Sequence, residues 1–271
     1  MIIHRKKQRT SNQRNYTHPE KPRYAHLEIA TAPPAATNKF KIVSYNIKYS
    51  KKVKAAINLL STHEDLKDCD IICLQEMTSD AVVAIAKGLQ YNYVFYPAVL
   101  HPVLGKDFGN AVLSRWPVIK DEKVILPHMD PRKSQRVVVN VTVQINDKIV
   151  VVSCVHLKVL LKPTNRGAQT AQLLASLPKR SDHFIIAGDF NTFSKANNRA
   201  ILEPFIEADF IPATAGLGWS HQHWTLLNKK SQLDHIFVKG LNILRTGKVV
   251  NRRCSDHVPI WAELTFAEAS K

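Results

Sequence analysis

Four apolar runs in this chain are each stopped by a polar residue able to do chemistry, and no other feature of the sequence restricts the fold as much. Residues 40–45 run into Asn46, 71–75 into Glu76, 150–155 into His156 and 184–188 into Asp189. The first run alternates as a strand does, with Phe40, Ile42 and Ser44 on one side and Lys41, Val43 and Tyr45 on the other. The other three are close to continuously apolar, the pattern of strands buried on both faces. Strand ends are stiff platforms, so an amide, two carboxylates and an imidazole delivered at the same end of four strands converge on one cleft if their sheets face each other. Any one of them alone reads as a strand-end cap or turn residue; the four together define a candidate site.

Between these strands the period becomes helical. Val53, Ala56, Ile57 and Leu60 share one face, and further helices are expected at 80–89, 164–177 and 196–208. Strands are expected at 91–97, 109–114, 118–126, 135–145 and 148–156, the last two joined by the polar pair Asn146-Asp147, a hairpin-type turn. Strands at 183–189, 233–239, 245–251 and 258–265 complete the chain. Early strand–helix alternation followed by many short strands predicts an α/β fold of two packed sheets with helices outside. No internal repeat is visible.

The longest apolar runs, such as 149–152, fall far short of the roughly 20 residues that span a bilayer. The basic start is followed by polar residues and not by the apolar core of a secretory signal, so a cytoplasmic location is expected. Residues 1–38 are polar, basic and without apolar periodicity, and they close on Ala32-Pro33-Pro34-Ala35-Ala36-Thr37-Asn38. They are read as a flexible extension, too poor in apolar surface to offset its own ordering, ahead of one domain over 39–271. An organelle presequence fits less well, because the segment has little amphipathic pattern and carries Pro19 and Pro22.

The net charge is +16. Residues 1–39 hold eight basic and two acidic side chains, so +6 belongs to the leading segment and +10 to the rest. That balance favours an anionic partner, nucleic acid or an acidic membrane. Cys69, Cys73, Cys154 and Cys254 lack the paired spacing of a zinc site and are expected to be buried thiols.

Two short clusters sharpen the chemistry. Gly188-Asp189-Phe190-Asn191 places a carboxylate and an amide on the same side of an extended segment, and Ser255-Asp256-His257 sets a carboxylate beside an imidazole just before an apolar strand. Asp234 stands ahead of another, His235-Ile236-Phe237-Val238. Taken in order, Ser44-Tyr45-Asn46, Leu74-Gln75-Glu76, the stretch from Gly109-Asn110 to Arg115, Val155-His156-Leu157, Gly188 to Asn191, Leu233 to Phe237 and Ser255-Asp256-His257 resemble the endonuclease/exonuclease/phosphatase superfamily. The resemblance covers residues 40 to about 266.

What the resemblance implies is a four-layered, deoxyribonuclease-like α/β sandwich, two packed mixed sheets flanked by helices, with the site at the mouth between the sheets. It implies Glu76 as principal Mg2+ ligand, with Mn2+ as a substitute, and Asn46 and Asp256 as supporting metal-site residues. It makes His257 the catalytic histidine, oriented by Asp234, and has Asp189 and Asn191 hold the attacking water and a phosphoryl oxygen. His156 would donate to a phosphate oxygen or assist the leaving group, while Asn110, Arg136 and Arg166 would neutralise developing charge. Whether Asp189 or His257 takes the proton of water stays open.

His156 separates the chain from the apurinic-site endonuclease branch, which carries Tyr there. It fits branches with His: deoxyribonucleases, toxin nuclease subunits, sphingomyelinases, inositol-polyphosphate phosphatases, tyrosyl-DNA phosphodiesterases and deadenylases. Thr78 stands where secreted deoxyribonucleases tend to carry Arg. The reading is a monomeric Mg2+-dependent nuclease or DNA-processing phosphodiesterase with nucleic acid as partner. The alternative is a phospholipid or inositol-phosphate hydrolase working on an anionic membrane or a phosphorylated small molecule. A catalytically silent binding protein is disfavoured by the complete residue set. His221, His223 and Trp224 are read either as packing or as substrate contacts, Arg115-Trp116-Pro117 as a strand exit, and Lys51-Lys52 and Lys229-Lys230 as solvated lysines or nucleic-acid contacts.

Overall fold

The computed structural model describes residues 14–30, 34–35, 38–127, 134–159, 162–223 and 228–267. In chain order the elements are β1 (Arg14–Asn15), β2 (Tyr24–His26), β3 (Lys39–Asn46), α1 (Val53–Thr62), β4 (Ile71–Thr78), α2 (Ser79–Leu89), β5 (Asn92–Leu100), β6 (Asp107–Ser114), β7 (Val118–Ile125), β8 (Val137–Ile145) and β9 (Lys148–His156). They continue with α3 (Pro163–Ala175), β10 (His183–Asp189), α4 (Lys195–Glu207), β11 (Ile211–Pro212), β12 (His221–Gln222), β13 (Lys230–Ser231), β14 (Asp234–Lys239), β15 (Leu241–Lys248) and β16 (Ile260–Phe266).

The strands form two large sheets. One runs β1-β5-β6-β4-β3-β16-β15 with β2 also on β5, the other β11-β14-β10-β9-β8-β7, and β12 and β13 make a separate small ribbon. Period-two alternation along β3 shows how they stack: Ile42 faces the second sheet in a core with Cys73, Val112, Val139, Val152, Cys154 and Ile185, while Val43 and Tyr45 face Ala56 and Leu60 of α1 and Val82 and Ile85 of α2. On the far side Val138, Val151 and Ile186 meet Leu173 of α3 and Ile201 and Phe205 of α4. The layers are therefore helix, sheet, sheet, helix, as the sequence led one to expect. All four cysteines are buried thiols, and among the described residues no helix is long and apolar enough to cross a membrane.

Two crossovers aim the site. β3 and β4 are parallel and joined through α1, and β9 and β10 are parallel and joined through α3. Parallel neighbours end on the same side, so Asn46 lies beside Gln75 in one sheet and Asp189 beside His156 in the other. The antiparallel β14 brings its first residue, Asp234, to the other flank of Asp189. Asp234, Asp189 and His156 thus form one row across three strands.

Three expectations need correction. The leading segment, read as flexible up to residue 38, is laid along β5 over its described part: Arg14 pairs with Leu100, Asn15 with Val99, and Tyr24 with Phe95. Arg23 grips Asp121 of β7 with two bonds of 2.7 and 2.6 Å, and the hydroxyls of Tyr16 and Tyr24 both donate to Asp107. The segment is held by main-chain pairing and charge at a sheet edge, with Ala25 and Ile29 packed on the cores beneath; residues 1–13, 31–33, 36 and 37 lie outside the described set. The strand expected at 245–251 starts at Leu241, because Gly240, at φ +70°, turns the chain sharply from the second sheet into the first. A Cβ there would stand 1.9 Å from the carbonyl oxygen of Asp182. The last strand begins at Ile260, not 258, beyond Pro259, whose ring nitrogen offers no ladder donor.

Candidate active site

Asp189 is the hub. It is 1% exposed, and Gly188 just before it carries no Cβ because one would come within 1.9 Å of the carbonyl oxygen of Val155 on β9. Its Oδ1 accepts the backbone N–H of Asn191 at 2.9 Å and its Oδ2 accepts Nδ2 of Asn46 at 3.0 Å. The same Oδ2 lies 3.5 Å from His156 Nε2 and 3.8 Å from His257 Nε2. Asn46 Nδ2 also approaches Glu76 Oε1 at 3.4 Å, so one amide from the first sheet bridges carboxylates of both sheets across the mouth.

His257 is turned by Asp234, whose Oδ2 lies 2.8 Å from Nδ1. The loop that carries it is pinned by Ser255: the hydroxyl donates to the carbonyl of Asn46 at 2.7 Å and accepts the N–H of His257 at 3.2 Å. Burial pulls the imidazole pKa down, but the charges of Asp234 and Asp189 outweigh it and raise His257 to about 10. Burial pushes Asp189 up, opposed by His257 and reinforced by Asp234, to about 7. Burial together with the charges of Arg136 and His257 drives His156 well below the ordinary range. The two imidazoles flanking Asp189 therefore differ at neutral pH, one a cation and the other neutral.

The metal-ligand candidates occupy a strained rim. Glu76 has φ +60° and accepts the N–H of Tyr49 at Oε2, 2.9 Å away. Lys48, Tyr49 and Ser50 are all left-handed, at φ +42°, +56° and +53°, and Asn191 is at +52°. Non-glycine residues persist there only when their surroundings impose it, and such strain concentrates at working sites. Lys48 Nζ donates to Asp256 Oδ2 at 2.6 Å. Although burial opposes it, bonds from His221 and Lys48 hold Asp256 well below the carboxylate range.

Other candidates divide. Arg136 is felt electrostatically by Glu76 and Asp189, and its Nε has no hydrogen-bond partner among the described residues. His221 is brought in, its ring 4.6 Å from that of His257; His223 lies next along, 6.1 Å from His221, and Trp224 is outside the described residues. Asn191 donates from Nδ2 to the carbonyl of Leu157 at 2.9 Å. Asn110 and Arg166 both hold main-chain carbonyls. Asn110 gives its amide to the carbonyl of Val137 at 2.9 Å, tying β6 to β8, and Arg166 is wholly buried, its guanidinium bonded to the carbonyls of Phe190 and Lys158. Arg166 secures the chain just after β9 and β10 from below. Lys48 and Tyr49 were missed, and Ser255 was named in its motif without a role; the one hint for Lys48 was its place two residues after Asn46.

Two side-chain groups among the described residues have ligand atoms close enough to hold a metal ion: His221, Asp256 and His257, and Asp189, Asp234 and His257. Glu76 belongs to neither. The oxygens of Glu76, Asn46 and Asp256 are nonetheless a hard-cation donor set, and Asp256 already receives the ammonium of Lys48. By donor chemistry these side chains suit a divalent cation.

Comparisons with known proteins agree with the geometry. The Endonuclease/Exonuclease/phosphatase family model matches residues 43–257. The uncharacterized protein YbhP of Escherichia coli K12 is 27% identical over 254 residues, covering 83% of this chain and 96% of that one. Among solved structures, an endonuclease/exonuclease/phosphatase family protein from Leptotrichia buccalis superposes with a TM-score of 0.68 at 20% identity, covering 84% of this chain and all of the other. TDP2 of D. rerio, solved with a single-strand DNA product, does so at 0.64 and 16% identity with the same coverage. With a family model spanning every strand end that builds the site, and relatives of the same four-layered fold, this chain belongs to the endonuclease/exonuclease/phosphatase family.

Proposed function

We propose that this chain is a metal-dependent phosphodiesterase that cleaves nucleic acid by attack of water. The observation that carries the reading is Asp189, a buried carboxylate bridged by Asn46 and flanked by the imidazoles of His156 and His257 at 3.5 and 3.8 Å. Asp189, with its pKa near neutrality, receives the proton of the attacking water. His257, kept cationic by Asp234, points Nε2 towards the same space and stabilises charge on a phosphoryl oxygen. His156 stays neutral and offers Nε2 to the phosphate or the leaving oxygen, and Asn191 and Arg136 complete the anion cradle. Glu76, Asn46 and Asp256 would hold Mg2+, or Mn2+ in its place, and the ion when bound polarises the phosphoryl group. The excess charge of +10 beyond residue 39 supports nucleic acid as partner.

The test is hydrolysis with and without Mg2+ across plasmid DNA, single-stranded oligonucleotides, RNA, sphingomyelin and inositol phosphates, with Glu76→Ala alongside. Nucleic-acid cleavage that needs the ion and is lost in the variant supports the reading. Activity confined to the lipid or the inositol phosphates would replace it with the membrane-hydrolase alternative.

A further inference from the structure

Beside the candidate site, beyond Asp256, lies a pocket of about 220 Å³ lined by Lys48, Lys51, Lys52, Arg252 and Arg253, with Cys254 and Ser255 completing its wall. No carboxylate lines it among the described residues. Five cationic side chains line this small volume, and one of them, Lys48, also bonds Asp256 at 2.6 Å. The start of α1 adds to the same field: its cap residue Lys52 makes no side-chain bond to the first-turn amides, and the first turn holds no acidic residue. The volume equals that of about seven liquid waters, room for a phosphate and part of its sugar. On its other flank Lys51 lies 5.4 Å from the ring of Tyr49, which stacks on Phe108, an aromatic surface of the kind that bases use.

Resting on the phosphodiesterase reading, we propose that this pocket binds a second phosphate of the substrate, adjacent along the strand to the one that is cleaved. Lys48 lines the pocket and bonds Asp256, so the two positions share a wall. The substrate is then a polynucleotide strand, not a small molecule with a single phosphate.

The experiment measures binding of a fluorescein-labelled single-stranded oligonucleotide by anisotropy, without divalent metal, over a salt series. Wild type is compared with Lys52→Ala/Arg253→Ala, both exposed pocket positions, and with Lys179→Ala/Arg180→Ala, two exposed cations ahead of β10 at the end opposite Asp189. Thermal melts check that all three are folded. The pocket holds one phosphate, so losing that contact should lower the slope of log K against log salt by about 0.7 in the pocket pair, and by almost nothing in the control pair. Equal losses in both pairs would reduce the pocket to part of a diffuse basic surface and overturn the proposal. It would also fall if the pocket pair weakened binding to phosphatidylserine vesicles but not to the oligonucleotide. Because the assay needs no turnover, binding with the expected slopes but no hydrolysis would refute the phosphodiesterase reading and leave the pocket standing.

Discussion

Replacing Asp234 by asparagine preserves the shape beside His257 and removes the charge. Burial alone would leave this imidazole neutral at pH 7, yet with Asp234 at 2.8 Å and Asp189 at 3.8 Å it is raised from 6.5 to about 10. That rise of about 3.5 in pKa corresponds to a preference for the imidazolium on the order of 5 kcal/mol. By inverse distance the nearer carboxylate supplies somewhat more than half, and since the attraction must first offset burial, Asp234 accounts for at least roughly 3 kcal/mol. The variant should therefore titrate about two pH units lower, near 8 or below. Histidine ring NMR on metal-free protein reads this directly, and kcat/KM should fall about 10²- to 10⁴-fold, the range of a misplaced acid–base group. Stability carries the same signature. The folded protein keeps a proton that the unfolded chain releases above pH 6.5, so this contribution is complete below that pH and is lost as pH rises through about 10. Asp234→Asn should flatten the decline. A wild-type His257 that titrates near 6.5, or a variant shifted by less than half a unit, would refute the reasoning.

Asp189 accepts a proton only when ionised, so wild-type activity should fall as pH drops through about 7, and Asp189→Asn should remove turnover by at least about 100-fold with substrate binding retained. Arg166→Met should lower urea stability by about 2–4 kcal/mol because two buried carbonyls lose their donor; a folded variant of unchanged stability with a raised KM would restore Arg166 as a substrate group. Deleting residues 1–30 strips β1 and β2 from β5, and size exclusion should show concentration-dependent association through the bared edge. A truncated protein as monomeric and heat-stable as the full chain would show that the strap is dispensable.

The parts of this protein that could be read from its residues are those set by local pattern. The alternation in β3 and the apolar runs of β9 and β10 are sufficient to place Asn46, His156 and Asp189 at strand ends, and helical spacing is sufficient for α1 to α4; Glu76, read as a strand end, sits two residues inside β4 at its irregularity between Leu74 and Met77. What escaped depends on partners distant in sequence. Lys48 meets Asp256 across 208 residues, and its place two residues after Asn46 does not reveal that partner. Arg166 and Asn110 occupy places where a phosphate ligand fits the motif order, but residue type does not say whether the group on the far side is a carbonyl or a substrate. The leading strap binds by backbone pairing, which composition does not register.

The left-handed turn over Lys48, Tyr49 and Ser50 carries roughly 1–2 kcal/mol of conformational cost at each residue. A segment under that load opens in partial excursions well below the cost of global unfolding, and the Tyr49 amide that holds Glu76 should exchange with solvent hydrogen early. A ligand on Glu76 bears on the same turn, which is held as well by the Lys48 N–H on Asn46 Oδ1 and by the Ser50 hydroxyl on the carbonyl of Glu76. The turn leads directly into Lys51 and Lys52, so filling the proposed metal position would stiffen the pocket beside it, and the two would act as linked detents of one latch.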